Sequence, residues 1–207
     1  GELSDSQSFS VTVAAVNDAP VATAGLSGTA DEDGSVVVTL SGSDIDGDNL
    51  IFTVGSASSG TLELSGSLVT YTPNINFNGN DSFTFTASDG EYNSTESVSL
   101  TVAPVNDAPV LAGISNVSFD EDGSGSTSLS GSDIDGDGLT FSIFSGSNIT
   151  ATLNGSDVTF SAPANFNGSE SFTASVTDGE LSDSQSFSVT VAAVNDPPVA
   201  QAGLSGT

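Results

Sequence analysis

The 207-residue chain contains no lysine, arginine or histidine, no cysteine, no methionine and no tryptophan. Each absence excludes a class of chemistry. Without Lys or Arg, the 27 Asp and Glu carboxylates, a formal charge of −27, have no side-chain salt-bridge partner. Phosphate recognition rests on basic side chains, so nucleic acid and anionic lipid are excluded as partners. The missing Cys removes disulfides, thiol nucleophiles and thiolate metal sites, and the missing His removes the usual general base and zinc ligand. With Tyr71 and Tyr92 the only tyrosines, little material remains for an aromatic platform that would stack on polysaccharide. The apolar runs are only a few residues long, too short for a membrane span or a signal h-region, so no direct membrane insertion is expected.

What remains is rich in Gly, Ser, Thr, Asn and Asp, yet 36% of residues are hydrophobic and they fall in alternating runs. Alternation of period two marks half-buried strands, and no window shows helical periodicity. The chain is also an internal repeat. "VNDAP" at 16–20 recurs at 105–109 and returns as "VNDPP" at 194–198, a spacing of 89 residues each time. The same offset carries "DEDGS" 31–35 onto 120–124, "SGSDIDGD" 41–48 onto 130–137, "NFNG" 76–79 onto 165–168 and "DGE" 89–91 onto 178–180. Two complete repeats are expected, 17–105 and 106–194, preceded by the closing strand of an earlier copy (1–16) and followed by the start of another (195–207). Residues 1–29 match 179–207 at 27 of 29 positions but match 90–118 at only 13, which implies a higher-order unit of two repeats in a longer protein.

Within the first repeat, "SVVVTL" 35–40, "LIFTV" 50–54, "TLEL" 61–64, "SLVTYT" 67–72, "SFTFTAS" 82–88 and "ESVSLTVA" 96–103 read as short strands between Gly, Asn and Asp turns. With a first strand near Val21–Ala24 this predicts an all-β sandwich of about seven strands per repeat. Phe77 and Phe166, in the "NFNG" motifs, are expected to plug the sandwich end rather than to bind sugar.

The acids lie between the strands, so folding gathers them at the sandwich ends. A single "DG" is ordinary turn chemistry, but "DIDGD" at 44–48 and 133–137 places three carboxylates in five residues, twice. At 5 Å two carboxylates repel by roughly 0.8 kcal/mol in bulk water and several-fold more near a protein surface. A bound cation relieves that repulsion. Clusters of carboxylates alone suit hard cations and select calcium over zinc or copper, and calcium's flexible coordination accepts ligands from several loops. An EF-hand is excluded, since the twelfth loop position would be Phe144 or Gly55 where a bidentate Glu is needed.

These motifs resemble the cadherin repeat, and more closely the bacterial cadherin-like repeats of very large surface adhesins. The resemblance covers the whole chain and implies tandem cadherin- or immunoglobulin-like Greek-key sandwiches with calcium at the junctions. The family's linker Asn and Asp fall on Asn17 and Asp18, on Asn106 and Asp107, and on Asn195 and Asp196. Its "DxD" falls on Asp44 and Asp46 and on Asp133 and Asp135, extended here by Asp48 and Asp137. Its "AxDxG" Asp falls on Asp89 and Asp178, and its early Glu on Glu32 and Glu121. The linker's first Asp is replaced by Ala15, Pro104 or Ala193 and the family's "DRE" is missing, leaving Asp81 and Glu170 as the acids expected to substitute. The resemblance thus implies a central junction of Glu32, Asp81, Asn106, Asp107, Asp133, Asp135, Asp137 and Asp178. It implies partial junctions at Asn17, Asp18, Asp44, Asp46, Asp48 and Asp89, and at Glu121, Asn195 and Asp196, with one or two ions at each.

The function so implied is a non-enzymatic extender. Its repeats would be stiffened by Ca2+ in a long extracellular or cell-surface bacterial adhesin or filament, with neighbouring repeats of the same chain as partners. The alternative is a carbohydrate-binding cadherin-like module with a polysaccharide or cell-surface ligand.

Overall fold

The computed structural model describes residues 1–144 and 146–198. The remainder of the expected following repeat, 199–207, lies outside the described residues. The chain divides into two compact units, Gly1–Val105 and Asn106–Thr207, and among the described residues every regular element is a strand.

In the first unit nine strands occur in order: β1 (Val21–Ala22), β2 (Leu26–Asp31), β3 (Val36–Thr39), β4 (Gly42–Ser43), β5 (Ile51–Val54), β6 (Gly60–Ser65), β7 (Leu68–Pro73), β8 (Gly79–Ser88) and β9 (Asn93–Ala103). A four-stranded sheet has the order β2-β9-β8-β5, a three-stranded one β3-β7-β6, and β1 pairs only with β4. Alternation positions the core. In β9, Val98, Leu100 and Val102 turn inward, as do Phe83, Phe85 and Ala87 of β8. They meet Val38 of β3 and Val69 and Tyr71 of β7 in one cluster shared by both sheets.

The second unit repeats this plan with β10 (Val110–Leu111), β11 (Val117–Asp120), β12 (Ser124–Ser128), β13 (Gly131–Ser132), β14 (Thr140–Phe144), β15 (Thr150–Asn154), β16 (Asp157–Ser161), β17 (Gly168–Thr177) and β18 (Ser182–Ala192). Its sheets are β11-β18-β17-β14 and β12-β16-β15, with β10 pairing β13. Its core is more aromatic: Phe160 meets Phe172 and Phe187 edge-on at centroid distances of 5.2 and 6.0 Å. Phe77 and Phe166 pack against the two cores as end plugs.

The expected strand near Val21–Ala24 is in fact two, and this is the main departure from the pattern read along the sequence. Gly25, at φ 78°, breaks the chain after β1. The segment then runs as β2 parallel to β9, from Leu26 opposite Val98 to Asp31 opposite Ala103. β2 (LSGTAD) has no hydrophobic alternation to announce it. Its Gly28 is needed because a Cβ there would stand 2.9 Å from Val38 Cγ2 and 3.2 Å from Val36 Cγ2. In the second unit β11 is parallel to β18 over Val117–Asp120. Residues 1–20 join no sheet.

Candidate metal centre

Each unit carries acids at both ends of its sandwich, positioned by different devices. At one end of the first unit, β4 delivers the chain into the "DIDGD" loop. Asp44 Oδ1 accepts the backbone N–H groups of Asp46 (2.8 Å), Gly47 (3.1 Å) and Asp48 (3.4 Å). This Asx-type turn needs a left-handed residue, supplied by Gly47 at φ 83°. In the second unit Asp133 Oδ1 accepts from Asp135 (2.9 Å) and Asp137 (3.3 Å), with Gly136 at φ 82°. The folded loop brings one carboxylate oxygen from each of Asp44, Asp46 and Asp48 within 4.8 Å of one another, and does the same for Asp133, Asp135 and Asp137.

The turn engages only one oxygen of its first Asp. Asp44 Oδ2 and Asp133 Oδ2 are buried and accept no hydrogen bond. A buried anionic acceptor without a donor carries its full desolvation cost, and this chain has no Lys, Arg or His to pair with it.

The linker residues are tied onto the same end. Asn17 Nδ2 donates to Asp89 Oδ2 (3.0 Å) and Asp18 N to Asp46 Oδ2 (2.8 Å). In the second unit Asn106 Nδ2 donates to Asp178 Oδ2 (2.9 Å) and Asp107 N to Asp135 Oδ2 (2.9 Å). Asp89 also receives Glu91 N and Tyr92 N on Oδ1, as Asp178 receives Glu180 N and Leu181 N. Donors of this kind favour the ionised form. Asp89, chiefly through the Tyr92 amide, and Asp178, chiefly through the Asn106 side chain, are held below the usual carboxylate value of 3.8. Within each unit, therefore, Asn17, Asp18, Asp44, Asp46, Asp48 and Asp89, and likewise Asn106, Asp107, Asp133, Asp135, Asp137 and Asp178, stand together around the start of the repeat.

At the opposite end is a single buried acid. Glu32 is 2% exposed and Glu121 8%, each in a tight "DEDG" turn whose following Asp is left-handed (Asp33 φ 62°, Asp122 φ 63°). Glu32 N bonds Ala103 O at 2.9 Å, anchoring the turn to the end of β9. Its carboxylate accepts Val105 N on Oε1 (2.5 Å) and Asn78 Nδ2 on Oε2 (3.3 Å). Glu121 Oε1 accepts Val194 N at 2.6 Å. Asn78 was not among the expected site residues. Its place in the repeated "NFNG" motif was the available signal, read only through its Phe.

Asp81 and Glu170 are put to another use. Asp81 Oδ2 accepts Ser59 N (2.8 Å) and the Tyr71 hydroxyl (3.0 Å), while Oδ1 accepts Ser82 N (2.8 Å) and Ser58 N (3.2 Å). Burial alone would raise its pKa, but these donors outweigh it and the net shift is downward. Tyr71, by burial first and then by the neighbouring Asp81, is pushed up from 10.0 to about 12. Glu170 binds Asn148 N, Asn148 Nδ2 and Ile149 N in the same way, and its pKa is also lowered against the effect of burial. Both acids pin the loop entering β6 or β15. Among the described residues Asn195 donates to Asp196 O at 3.5 Å, and the loop that this last pair would face lies outside them.

Two sandwiches in tandem, each with an acidic loop cluster at one end and a buried glutamate at the other, define a tandem immunoglobulin-like or cadherin-like repeat protein. The chain belongs to the bacterial Ig domain family, whose profile matches residues 17–102 and 106–190. Among solved structures it is similar to human protocadherin-24 EC1-2 in one crystal form at 16% identity and TM-score 0.58, covering 86% of this chain and 100% of that one. A second crystal form gives 15% identity and TM-score 0.55, with 88% and 100% covered. A match to the endo-fucoidan hydrolase MfFcnA4 of glycoside hydrolase family 107 has 23% identity and TM-score 0.40, covering 86% of this chain and 29% of the enzyme. The chain thus spans less than a third of that relative's length. No curated protein matches. At these identities the structural likeness establishes the fold alone.

Proposed function

We propose that the chain is an extender whose repeats bind calcium at the acidic ends and are stiffened by it, within a longer secreted or surface-attached adhesin or filament. The observation that carries this reading is the pair of buried, donorless oxygens, Asp44 Oδ2 and Asp133 Oδ2, each beside two further carboxylates, in a chain without a basic side chain. A hard divalent ion supplies the missing positive charge and accepts oxygens from Asp44, Asp46 and Asp48, or from Asp133, Asp135 and Asp137. Asp89 and Asp178, already ionised and oriented by their loops, and the linker residues Asn17, Asp18, Asn106 and Asp107 complete the donor set. Asp81 and Glu170, whose oxygens are taken up by loop amides, are left out of it.

The stiffening follows from the covalent order of the chain. Val105 is held by Glu32, and the next two residues, Asn106 and Asp107, are held by Asp178 and Asp135. An ion at the Asp133–Asp137 loop fixes the far side of this three-residue stretch, and Glu32 fixes the near side. In its absence the like charges repel and the linker loosens. The role is structural and involves no catalytic step.

Titration calorimetry and thermal unfolding test the reading. Extracellular calcium modules have dissociation constants of about 0.1–1 mM, and at ten times that constant each ion adds roughly 1.4 kcal/mol of stability. Calcium should raise the melting temperature, and Asp133→Asn should remove the response of the second unit while leaving it folded. An unaltered melting temperature and no binding heat at 10 mM calcium would sink the proposal.

A further inference from the structure

Three asparagines of the chain precede a glycine: Asn78, Asn154 and Asn167. Such a pair is prone to cyclise, because the glycine nitrogen reaches the side-chain carbonyl carbon of the residue before it and no Cβ stands in the way. The fold treats the three unequally. We propose that Asn154 is a spontaneous modification site, converted by water to aspartate and isoaspartate in the folded protein, while Asn78 and Asn167 are protected. This inference is independent of calcium.

Asn154 ends β15, and Gly155 and Ser156 make the two-residue turn into β16, closed by the pairing of Asn154 with Asp157. Both Asn154 and Gly155 are exposed. Gly155 takes the left-handed φ of 64° that so short a hairpin demands, and a Cβ built on it would meet nothing within 4 Å. Ring closure therefore has room. Among the described residues neither the Asn154 side chain nor the Gly155 amide has a hydrogen-bond partner, so the attacking nitrogen is free and the amide that must turn toward it is not tied down. The other two asparagines are held. Asn78 Nδ2 donates to the buried Glu32 at 3.3 Å. Gly79 and Gly168 open β8 and β17, paired with Val102 and Val191, and a Cβ at Gly168 would stand 3.3 Å from Phe166 Cζ. Cyclisation there means leaving the ladder and, for Asn78, giving up Glu32. The first unit supplies a natural control: Ser65, with no amide to lose, stands where Asn154 does and precedes Gly66 at the same φ of 64°.

The Gly155 nitrogen, losing its proton, bonds to Asn154 Cγ; the Cγ–Nδ2 bond breaks and ammonia leaves, giving a cyclic imide. Water then adds to one of the ring's two carbonyl carbons. Opening on one side gives aspartate, and on the other isoaspartate, in which the main chain passes through Cβ. The net reaction exchanges an amide nitrogen for a water oxygen and needs neither oxidant nor enzyme. The new carboxylate stands directly across from Asp157, which already accepts the Ser128 hydroxyl at 2.6 Å. Like charges facing each other across a strand pair destabilise it, and the lengthened main chain of isoaspartate spoils a turn whose length fixes the register. Conversion thus adds a negative charge to a chain with no basic side chain and loosens the β15–β16 hairpin.

The test ages the whole folded chain in mildly alkaline buffer beside the same chain in denaturant. Each asparagine is followed by peptide mass spectrometry after cleavage at acidic residues, since the chain offers trypsin no Lys or Arg. In the folded protein Asn154 should convert several-fold faster than Asn78 and Asn167, and its rate should rise with pH because the glycine nitrogen must lose a proton. Isoaspartate at 154 should be detected by enzymatic methyl transfer to its carboxylate. In denaturant the three rates should converge. Asn154→Ser, which copies the turn of the first unit, should fold and lose the signal. No conversion of Asn154 in the folded protein, or conversion of Asn78 or Asn167 as fast as Asn154, would overturn the proposal. So would a lead of Asn154 that persists undiminished in denaturant, since local sequence rather than the fold would then set it.

Discussion

Asp44 and Asp81 are both loop acids, yet their surroundings assign them opposite tasks. Asp44 spends one oxygen on its own turn and leaves the other buried without a donor. Asp81 spends both oxygens on Ser58, Ser59, Ser82 and the buried Tyr71 hydroxyl. Removing Asp81 orphans these donors, and leaving buried donors unsatisfied costs about 1–3 kcal/mol. Asp81→Ala should therefore lower the urea midpoint of the first unit while leaving the proposed calcium binding intact. Lost calcium binding at unchanged stability would make Asp81 a ligand after all. Spacing placed Asp44, Asp46 and Asp48 in one turn, and the resemblance to cadherin repeats singled out Asp89 and Glu32, because turns of fixed length carry their acids to fixed places. They could not show that Asp81 faces a tyrosine ten residues earlier in the fold's other sheet, since a cross-sheet hydrogen bond leaves no periodic trace in a sequence.

The elements divide along a similar line. β8, β9, β17 and β18 announce themselves, because Phe83, Phe85, Val98, Leu100, Phe172, Val176, Phe187 and Val189 alternate along them and are buried in consequence. The all-β class and the sandwich follow from that alternation. β2, β11 and β12 escape notice. β2 is polar and owes its place to parallel pairing with β9 rather than to an apolar face of its own. β12, SGSTS, contains no large apolar residue and is held by five pairs to β16. Gly28 is the residue that lets β2 approach: any side chain meets Val38 and Val36. Gly28→Val should destabilise the first unit by about 1–3 kcal/mol, the usual cost of overpacking, and raise amide exchange across Leu26–Asp31. Protection of β2 equal to that of the unaltered protein would show that the strand is not clamped at Gly28.

For the molecule as a whole, charge sets the response to acid. Asp81, Asp89 and Asp178 titrate below 3.8 and Glu170 below 4.5 when folded, and at those ordinary values when unfolded. The unfolded chain therefore takes up protons first as the pH falls. The stability these four supply is fully present above their unfolded values and is lost as the pH drops through the lower folded ones. Denaturant unfolding in a chelator should show stability falling from about pH 5 downward, with a shallower fall for Asp178→Asn. An acid limb of the same slope in that variant would remove Asp178 from the account.

The parallel pairing of β2 with β9 has a mechanical consequence. In an antiparallel hairpin the two chain ends leave from the same side, so tension peels the hydrogen bonds apart one at a time. Here the chain enters β2 at one end and leaves β9 at the other, so a pull along the polypeptide slides the two strands past each other and loads the whole ladder at once. That ladder is six residue pairs long in the first repeat and four in the second. Each repeat is thus latched in shear between its own entry and exit strands, and under rising force the second repeat, with the shorter latch, should be the first to let go.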